Sequence, residues 1–262
     1  MSFTPLRRGG SGPPLVCVHG FMDTWRTWEL VLPALERHHD VLAVTLAGHA
    51  GGPPLPGELT PTALADGVER AMDDAGFALA HVAGNSLGGY VGLQLAARGR
   101  ARSVVALAPA GGWVAGDPAP REVLALELEI QRACRAIAPN ADALAASPGG
   151  RRQITRYLTT RFEHIPADLA AHLTRGVAAC DGAAALVEYA LAHGWELDGA
   201  AVRCPVRFVW GTEDELLPWP SAAARYRAWF PHADWVELDG VGHAPQLDVP
   251  LETAELIRGF SA

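Results

Sequence analysis

Long apolar runs are missing from this chain of 262 residues. Nowhere do about 18 apolar residues follow one another unbroken, which argues against a membrane-spanning helix. Cationic charge is scarce as well: 21 Lys+Arg stand against 29 Asp+Glu, a formal net charge of -8. That balance offers no basic footprint to nucleic acid or to an anionic membrane surface. Cysteine is sparse and scattered, at Cys17, Cys134, Cys180 and Cys204, without the CxxC or Cys/His spacing of a zinc site or redox pair. These thiols read as reduced core residues and not as a disulfide framework. The opening MSFTPLRRGGSGPPLVCVHGF has two arginines, then Gly and Pro, and only the short apolar run 15–18, too brief and broken for a secretory leader. A soluble cytoplasmic protein is the expectation. Internal repeats and low-complexity tracts are absent, so neither points to an interaction or structural role.

What is present is core-forming. With 49% hydrophobic residues, a chain of this length buries a full core in one folding unit. Apolar runs at 15–18 and 41–46 end in Gly-containing segments and predict buried strands followed by turns. Residues 25–36 between them have spaced apolar positions and predict a helix. A Thr-Pro start opens a second helix at 60–75, which feeds the strand-like run 78–83. A helix at 86–97 comes next, then strand-like runs at 103–108, 206–210 and 235–238, and a last helix at 251–260. Strands alternating with crossover helices require a mostly parallel sheet with helices on both faces, an α/β fold.

The alternation stops between Trp113 and about Asp198. That stretch predicts only helices, at 122–137, 151–162, 167–180 and 183–194, divided by Pro139, Pro148 and Pro166. Helices inserted between two strands are placed to cover the strand ends, where open α/β sheets bind ligands. The domain plan is a core of residues 1–112 and 199–262 with a helical lid of residues 113–198.

Gly84-Asn85-Ser86-Leu87-Gly88 fits G-x-S-x-G between a predicted strand and a predicted helix. A serine on so tight a turn adopts a strained backbone, flanking glycines make room, and the hydroxyl projects into a cleft. A hydroxyl is a poor nucleophile, so a base must reach it and a further group must hold that base. Of ten histidines, His243 lies in the Gly-rich loop directly after the strand 235–238. His38, His39, His81, His164, His172, His193 and His232 fall on helices or element boundaries and read as solvated or core-satisfied. For the acid, Asp214 follows the strand 206–210, and Glu213 and Glu215 blur the choice by one position. The chain order Ser, Asp, His, each in a post-strand loop, singles out Ser86, Asp214 and His243. Backbone N–H donors for a developing oxyanion are expected at Leu87, beside the nucleophile, and at Phe21, in the loop after the strand 15–18.

These residues resemble the α/β-hydrolase superfamily of serine hydrolases with a helical cap, over nearly the whole chain: HGF at 19–21, GNSLGG at 84–89, WGTEDELLP at 210–218 and GVGHAPQLDVP at 240–250. The resemblance implies a parallel sheet with one antiparallel edge strand, a cap inserted after the sixth strand, and no metal or organic cofactor. It supports Phe21 and Leu87 as oxyanion donors, and Asp214 over its acidic neighbours. Dehalogenases and epoxide hydrolases of this fold place Asp where Ser86 stands, so the serine points to acyl chemistry. Three features depart from the family pattern. Asn85 stands where His is frequent, as in hydrolases that cleave carbon–carbon bonds of vinylogous diketones. Those enzymes usually carry a Gly/Ser/Pro-rich oxyanion segment, whereas HGFMDTW is closer to simple esterases and lactonases. Residues 45–52, TLAGHAGG, replace the frequent Asp-x-Arg-Gly-x-Gly, with His49 read as a loop-structural residue. The short stretch before Leu15 implies that the first strands are trimmed to one.

The expected function is hydrolysis of carboxylic esters, lactones or thioesters of small, largely apolar molecules through an acyl-enzyme. Carbon–carbon bond hydrolysis and perhydrolysis are alternatives within the fold, and a small-molecule receptor with little turnover is the alternative from another class. Candidate substrate-binding residues are Met22, Trp25, Trp113, Leu124, Leu128 and Leu217, with Trp195, Ile137 and Leu158 adding apolar lid surface. Arg26 reads as an exposed helix-start arginine.

Overall fold

The computed structural model describes residues 2–261. Its seven strands are β1 (Leu6–Gly10), β2 (Pro14–Val18), β3 (Asp40–Val44), β4 (Ala80–Asn85), β5 (Ala101–Leu107), β6 (Val206–Gly211) and β7 (Asp234–Leu238). They form one sheet in the order β1-β3-β2-β4-β5-β6-β7. Only β1 runs antiparallel, pairing with β3 at the edge, and every other neighbour is parallel. Side chains alternate between the two faces of a strand, and the core divides accordingly. Val16, Val18, Val82, Val104, Ala106 and Phe208 enter one cluster. Leu15, Cys17, Ala83, Val105, Leu107 and Val209 enter the other.

Helices close both faces. The sheet-flanking helices before β5 are α1 (Leu32–Leu35), α2 (Ala63–Asp74) and α3 (Leu87–Ala97). Val68 and Met72 of α2 and Val91 and Leu95 of α3 cover the first face. Leu32 and Leu35 of α1, with Trp28 beside them, cover the second. Between β5 and β6 the chain forms α4 (Ala119–Ile137), α5 (Ala141–Ala146), α6 (Pro148–Thr155), α7 (Ala167–Ala178) and α8 (Ala183–His193), with no strand among the described residues. The last helices are α9 (Ala224–Trp229), α10 (Pro245–Asp248) and α11 (Pro250–Arg258). No helix among the described residues is long and apolar enough to cross a membrane. All four cysteines are free, and Cys17, Cys134 and Cys180 are buried.

Register sets where loops leave the sheet. Val18 lies opposite Gly84, Asn85 opposite Leu107, Leu107 opposite Val209 and Gly211 opposite Leu238. The loops beginning at His19, Ser86, Ala108, Thr212 and Asp239 therefore emerge along one edge.

Several expectations need correction. Leu6–Gly10 is the single strand before β2 and the one antiparallel edge strand that the resemblance implies, although the residue pattern did not place it. Its LRRGG sequence is mostly exposed and carries no apolar alternation; the edge is held by Arg7 to Glu36 and Arg8 to Asp40 ion pairs. The inserted helices follow the fifth strand of this seven-stranded sheet, not a sixth. The helix expected at 25–36 splits into a 3-10 turn at Trp25–Trp28 and α1, since Pro33 has no N–H to continue the ladder. The helix expected at 151–162 starts and ends earlier, as α6. Ser147 caps it by accepting from the Gly150 N–H at 3.0 Å, with Pro148 at its first position. Beyond it, the Thr160 and Arg161 amides donate to the Asp248 carboxylate instead of to a helix.

Candidate active site

Ser86 joins β4 to α3 with φ 54 and ψ -117, a backbone that side-chain-bearing residues rarely adopt. The strain is held from both sides: the Ser86 N–H donates to the Leu107 carbonyl at 2.9 Å, and its own carbonyl accepts from Tyr90 N and Ala110 N. Two glycines are obligatory here. A Cβ on Gly84 would stand 2.2 Å from the Gly88 carbonyl oxygen, and one on Gly88 would stand 2.1 Å from that of Val18. The serine is left nearly buried, and its hydroxyl forms no hydrogen bond among the described residues.

His243 reaches the same place from the loop after β7. Its Nδ1 lies 2.8 Å from Asp214 Oδ2. With Nδ1–H donating, Nε2 keeps the lone pair. Asp214 is fixed in turn, because its Oδ1 accepts from the Leu216 and Leu217 amides at 2.9 and 2.8 Å. Asp214 is buried, whereas Glu213 and Glu215 are exposed, so one acid of the three reaches the imidazole. Burial disfavours the imidazolium, but the charge and hydrogen bond of Asp214, joined by the charge of Glu127, outweigh it and raise the His243 pKa above its ordinary value.

Asn85 binds these loops together. Its amide nitrogen donates to the carbonyls of Leu107 (3.1 Å) and His243 (3.0 Å), and its oxygen accepts from Gln246 Nε2 at 3.0 Å. Asp248 does the same on the far side of the histidine. Its Oδ2 accepts from the Gly242 N–H at 2.7 Å and from Thr160, while Oδ1 accepts from the Arg161 N–H at 2.7 Å. One carboxylate thus ties the histidine loop to the segment between α6 and α7.

The loop after β2 passes close to the serine: a Cβ on Gly20 would lie 3.3 Å from Ser86 Cβ. His19 shapes this loop. Its Nε2 accepts from the Leu46 N–H at 2.9 Å, so its Nδ1–H donates to the Gly20 carbonyl at 2.6 Å. No turn or loop hydrogen bond engages the amide of Phe21 or of Leu87, and both residues border the cavity in front of Ser86.

Two cavities meet at the serine. The first, about 930 Å³ including its mouth, is walled chiefly by apolar side chains, among them Leu64, Val91, Trp113, Leu124, Val187 and Trp195. The second, about 690 Å³ including its mouth, lies toward Asp23, Cys134, Tyr157 and Leu158. Of the residues expected to bind substrate, Trp113, Leu124 and Leu217 line the first cavity. Met22 and Leu128 do not: they pack with Cys180 and Ala183 behind the wall. Trp25 packs against the second sheet face and donates from Nε1 to Thr4 at 2.8 Å. Arg26 is ion-paired with Glu29 and Asp168, away from both cavities. His49 is buried against Ala47 and held well below its ordinary pKa, at about 4, by burial.

Sequence reasoning missed Glu127 and Asp23. Burial pushes both carboxyls up to about 7, opposed at Glu127 by His243 and at Asp23 by hydrogen bonds from Thr24 and Thr27. A signal existed for Glu127: it lies at helical spacing from the buried Leu124, Gln131 and Cys134 of α4, an acid on the inward stripe. Among the described residues, no group of three or more His, Cys, Asp or Glu is arranged to hold a metal ion.

The comparisons with known proteins agree with this architecture. A family model described as the alpha/beta hydrolase fold matches residues 13–250. The chain is similar to the epoxide hydrolase EphH of Mycobacterium tuberculosis, 32% identical over 203 residues that make up 75% of this chain and 92% of that protein. It is similar to lipase 3 of a Moraxella species, 24% identical over 95% of this chain and 78% of that one. Among solved structures it resembles a bacterial membrane phospholipase A with a TM-score of 0.75, at 22% identity over 99% of this chain and 84% of the other.

Proposed function

The chain belongs to the alpha/beta hydrolase fold family and is a hydrolase of that fold, and from this premise we propose that it cleaves carboxylic esters through a serine acyl-enzyme. The observation that carries this reading is the strained Ser86 turn facing the same cavities as an imidazole that is hydrogen-bonded to a buried carboxylate. His243 Nε2 takes the Ser86 proton as the oxygen attacks the carbonyl carbon. The Phe21 and Leu87 amides stabilise the resulting oxyanion, the alcohol departs with a proton from His243, and water releases the acid by the same route. Asp214 holds the tautomer and stabilises the imidazolium. The Ser86 hydroxyl is not hydrogen-bonded to the imidazole here, and contacts of this kind commonly tighten when substrate binds. Residues 113–198 act as a cap over the core, and their apolar wall suits an uncharged, largely apolar substrate.

The name of the Mycobacterium relative suggests an epoxide instead. Opening an epoxide through a covalent ester needs a carboxylate at the turn, and a serine stands there. A direct test compares wild type with Ser86→Ala on p-nitrophenyl esters and on styrene oxide. We expect ester hydrolysis that falls by at least about 10³-fold in the variant. Ester turnover that survives in folded Ser86→Ala, or styrene oxide turnover without ester turnover, would sink the proposal.

A further inference from the structure

Five residues border both cavities: Phe21, Ser86, Glu127, Leu216 and His243. Ser86 and His243 are the proposed nucleophile and base, Phe21 carries a proposed oxyanion donor, and Leu216 gives its amide to Asp214. Glu127, from α4, takes no part in that chemistry. A side chain that borders both cavities where they meet at Ser86 also borders the place where the scissile bond must lie.

No hydrogen-bond donor of the described residues reaches this carboxyl, and the charge of His243 is what acts on it. Among the described residues Glu127 makes no hydrogen bond or ion pair. The chain contains no lysine, and no arginine lines either cavity. Its neighbours in the wall are Val123, Leu124, Ile130 and Cys134. Glu127 is partly exposed, toward the cavities it lines; a carboxyl that faces an apolar wall without a hydrogen-bond partner is poorly solvated, and a helix that served only to pack would carry Leu at this position. A ligand that brings a hydrogen-bond donor removes the penalty. Burial has already pushed the carboxyl up to about 7, so near neutrality it is present both ionised and neutral. Either form accepts from a hydroxyl, whereas an ammonium would also have to leave water for a mainly apolar wall.

We infer that Glu127 is a specificity-determining residue that accepts a hydrogen bond from a substrate hydroxyl lying within a few atoms of the scissile carbonyl. The preferred esters are hydroxylated ones, with hydrocarbon in the first cavity and the hydroxyl at the junction. This rests on the serine-hydrolase reading above.

The test measures proton release from ethyl butyrate, ethyl 2-hydroxybutyrate, ethyl 3-hydroxybutyrate and 2-hydroxyethyl butyrate by wild type, Glu127→Gln, Glu127→Leu and Ser86→Ala. The readout is the ratio of kcat/KM for the best hydroxylated ester to that for ethyl butyrate. A change in the basicity of His243 or in folding moves all the esters together and leaves this ratio alone. Wild type should favour a hydroxylated ester by about tenfold or more, Glu127→Gln should keep most of that preference, and Glu127→Leu should bring the ratio near one. A ratio near one in wild type, or one unchanged in Glu127→Leu, overturns the inference. Ser86→Ala separates the two failures, because turnover that persists there removes the serine reading itself. Inactivity of folded wild type toward all four esters removes both.

Discussion

Two sets of side chains meet at Ser86 and are held there in different ways. Those on the strand-end loops are placed by backbone that tolerates no substitution: a Cβ on Gly84, Gly88 or Gly211 would stand 2.1 to 2.2 Å from a carbonyl oxygen. Those from the helices between β5 and β6, such as Trp113, Leu124, Glu127 and Val187, are placed by how whole helices dock, through side chains that neighbours can accommodate in more than one shape. The first arrangement fixes atoms for chemistry, and the second shapes a volume.

The widest gap between the two should appear on adding or removing a few carbons. Gly88→Ala forces a methyl group into the Val18 carbonyl, at the end of a strand paired on both sides, so α3 must shift and carry Ser86 with it. Ester hydrolysis should fall by more than about 10³-fold, since displacements near 1 Å already cost about 10²-fold, and thermal denaturation should show a lower midpoint. Leu124→Ala should leave kcat/KM within about tenfold and move the preferred p-nitrophenyl ester toward longer acyl chains. Equal losses in the two variants would erase the distinction.

Asp248 joins the two sets and tests how independent they are. Its carboxylate accepts from Gly242, next to the histidine, and from Thr160 and Arg161 between α6 and α7. Asp248→Asn keeps the shape but replaces an accepting oxygen by a donor, leaving either the buried Gly242 amide or the part-buried Arg161 amide unpaired. We expect kcat to fall by about tenfold with little change in KM, because the imidazole loses its register while the wall stays in place. A change confined to KM would mean that the bridge shapes the pocket and not the base.

The same contrast explains what was legible in the sequence. The turn at Ser86 needs glycines at fixed offsets, Asp214 and His243 must follow strands, and parallel strands with aligned ends bring those loops to one edge. Each requirement is local and leaves a short motif. The resemblance favoured Asp214 over Glu213 and Glu215, but the physical reason, acceptance from the Leu216 and Leu217 amides, is presented only by the folded loop. The wall was read by composition, and composition placed Met22, Trp25 and Leu128 in a cleft they do not line. Met22 and Leu128 adjoin the cavity-lining Phe21 and Glu127, and all three are packed instead against neighbours that are distant in sequence. An antiparallel edge strand was implied by the resemblance, but its place at Leu6–Gly10 was not read from the residues, because Arg-Arg-Gly-Gly has no buried face to announce. Glu127 was overlooked because the helix was scanned for its apolar residues, when the informative one was the acid among them.

The smallest effect concerns that acid and distinguishes a buried wall from a hydrated one. In the folded protein the Glu127 carboxyl titrates at about 7, against an ordinary value of 4.5. The folded state then holds this proton more tightly than the unfolded chain. The group's contribution is fully favourable below about 4.5 and is lost as pH rises through about 7. The loss above that range is on the order of 3 kcal/mol, taking about 1.4 kcal/mol for each pH unit between the two values. Glu127→Gln cannot ionise, so its Tm should exceed that of wild type by several degrees at pH 8, and the difference should shrink toward pH 5. Asp23, also raised to about 7, and His49 and His172, both lowered to about 4, titrate in both proteins and cancel in the comparison. His243 does not cancel: the Glu127 charge helps to raise its pKa, so Glu127→Gln also loses the stability that the protonated imidazole gains from that charge, which adds to the shrinkage toward pH 5. A Tm difference that stays constant from pH 5 to pH 8 would mean that water reaches the carboxyl freely. The helical wall would then lack the dry junction at Ser86 from which a hydroxyl preference follows.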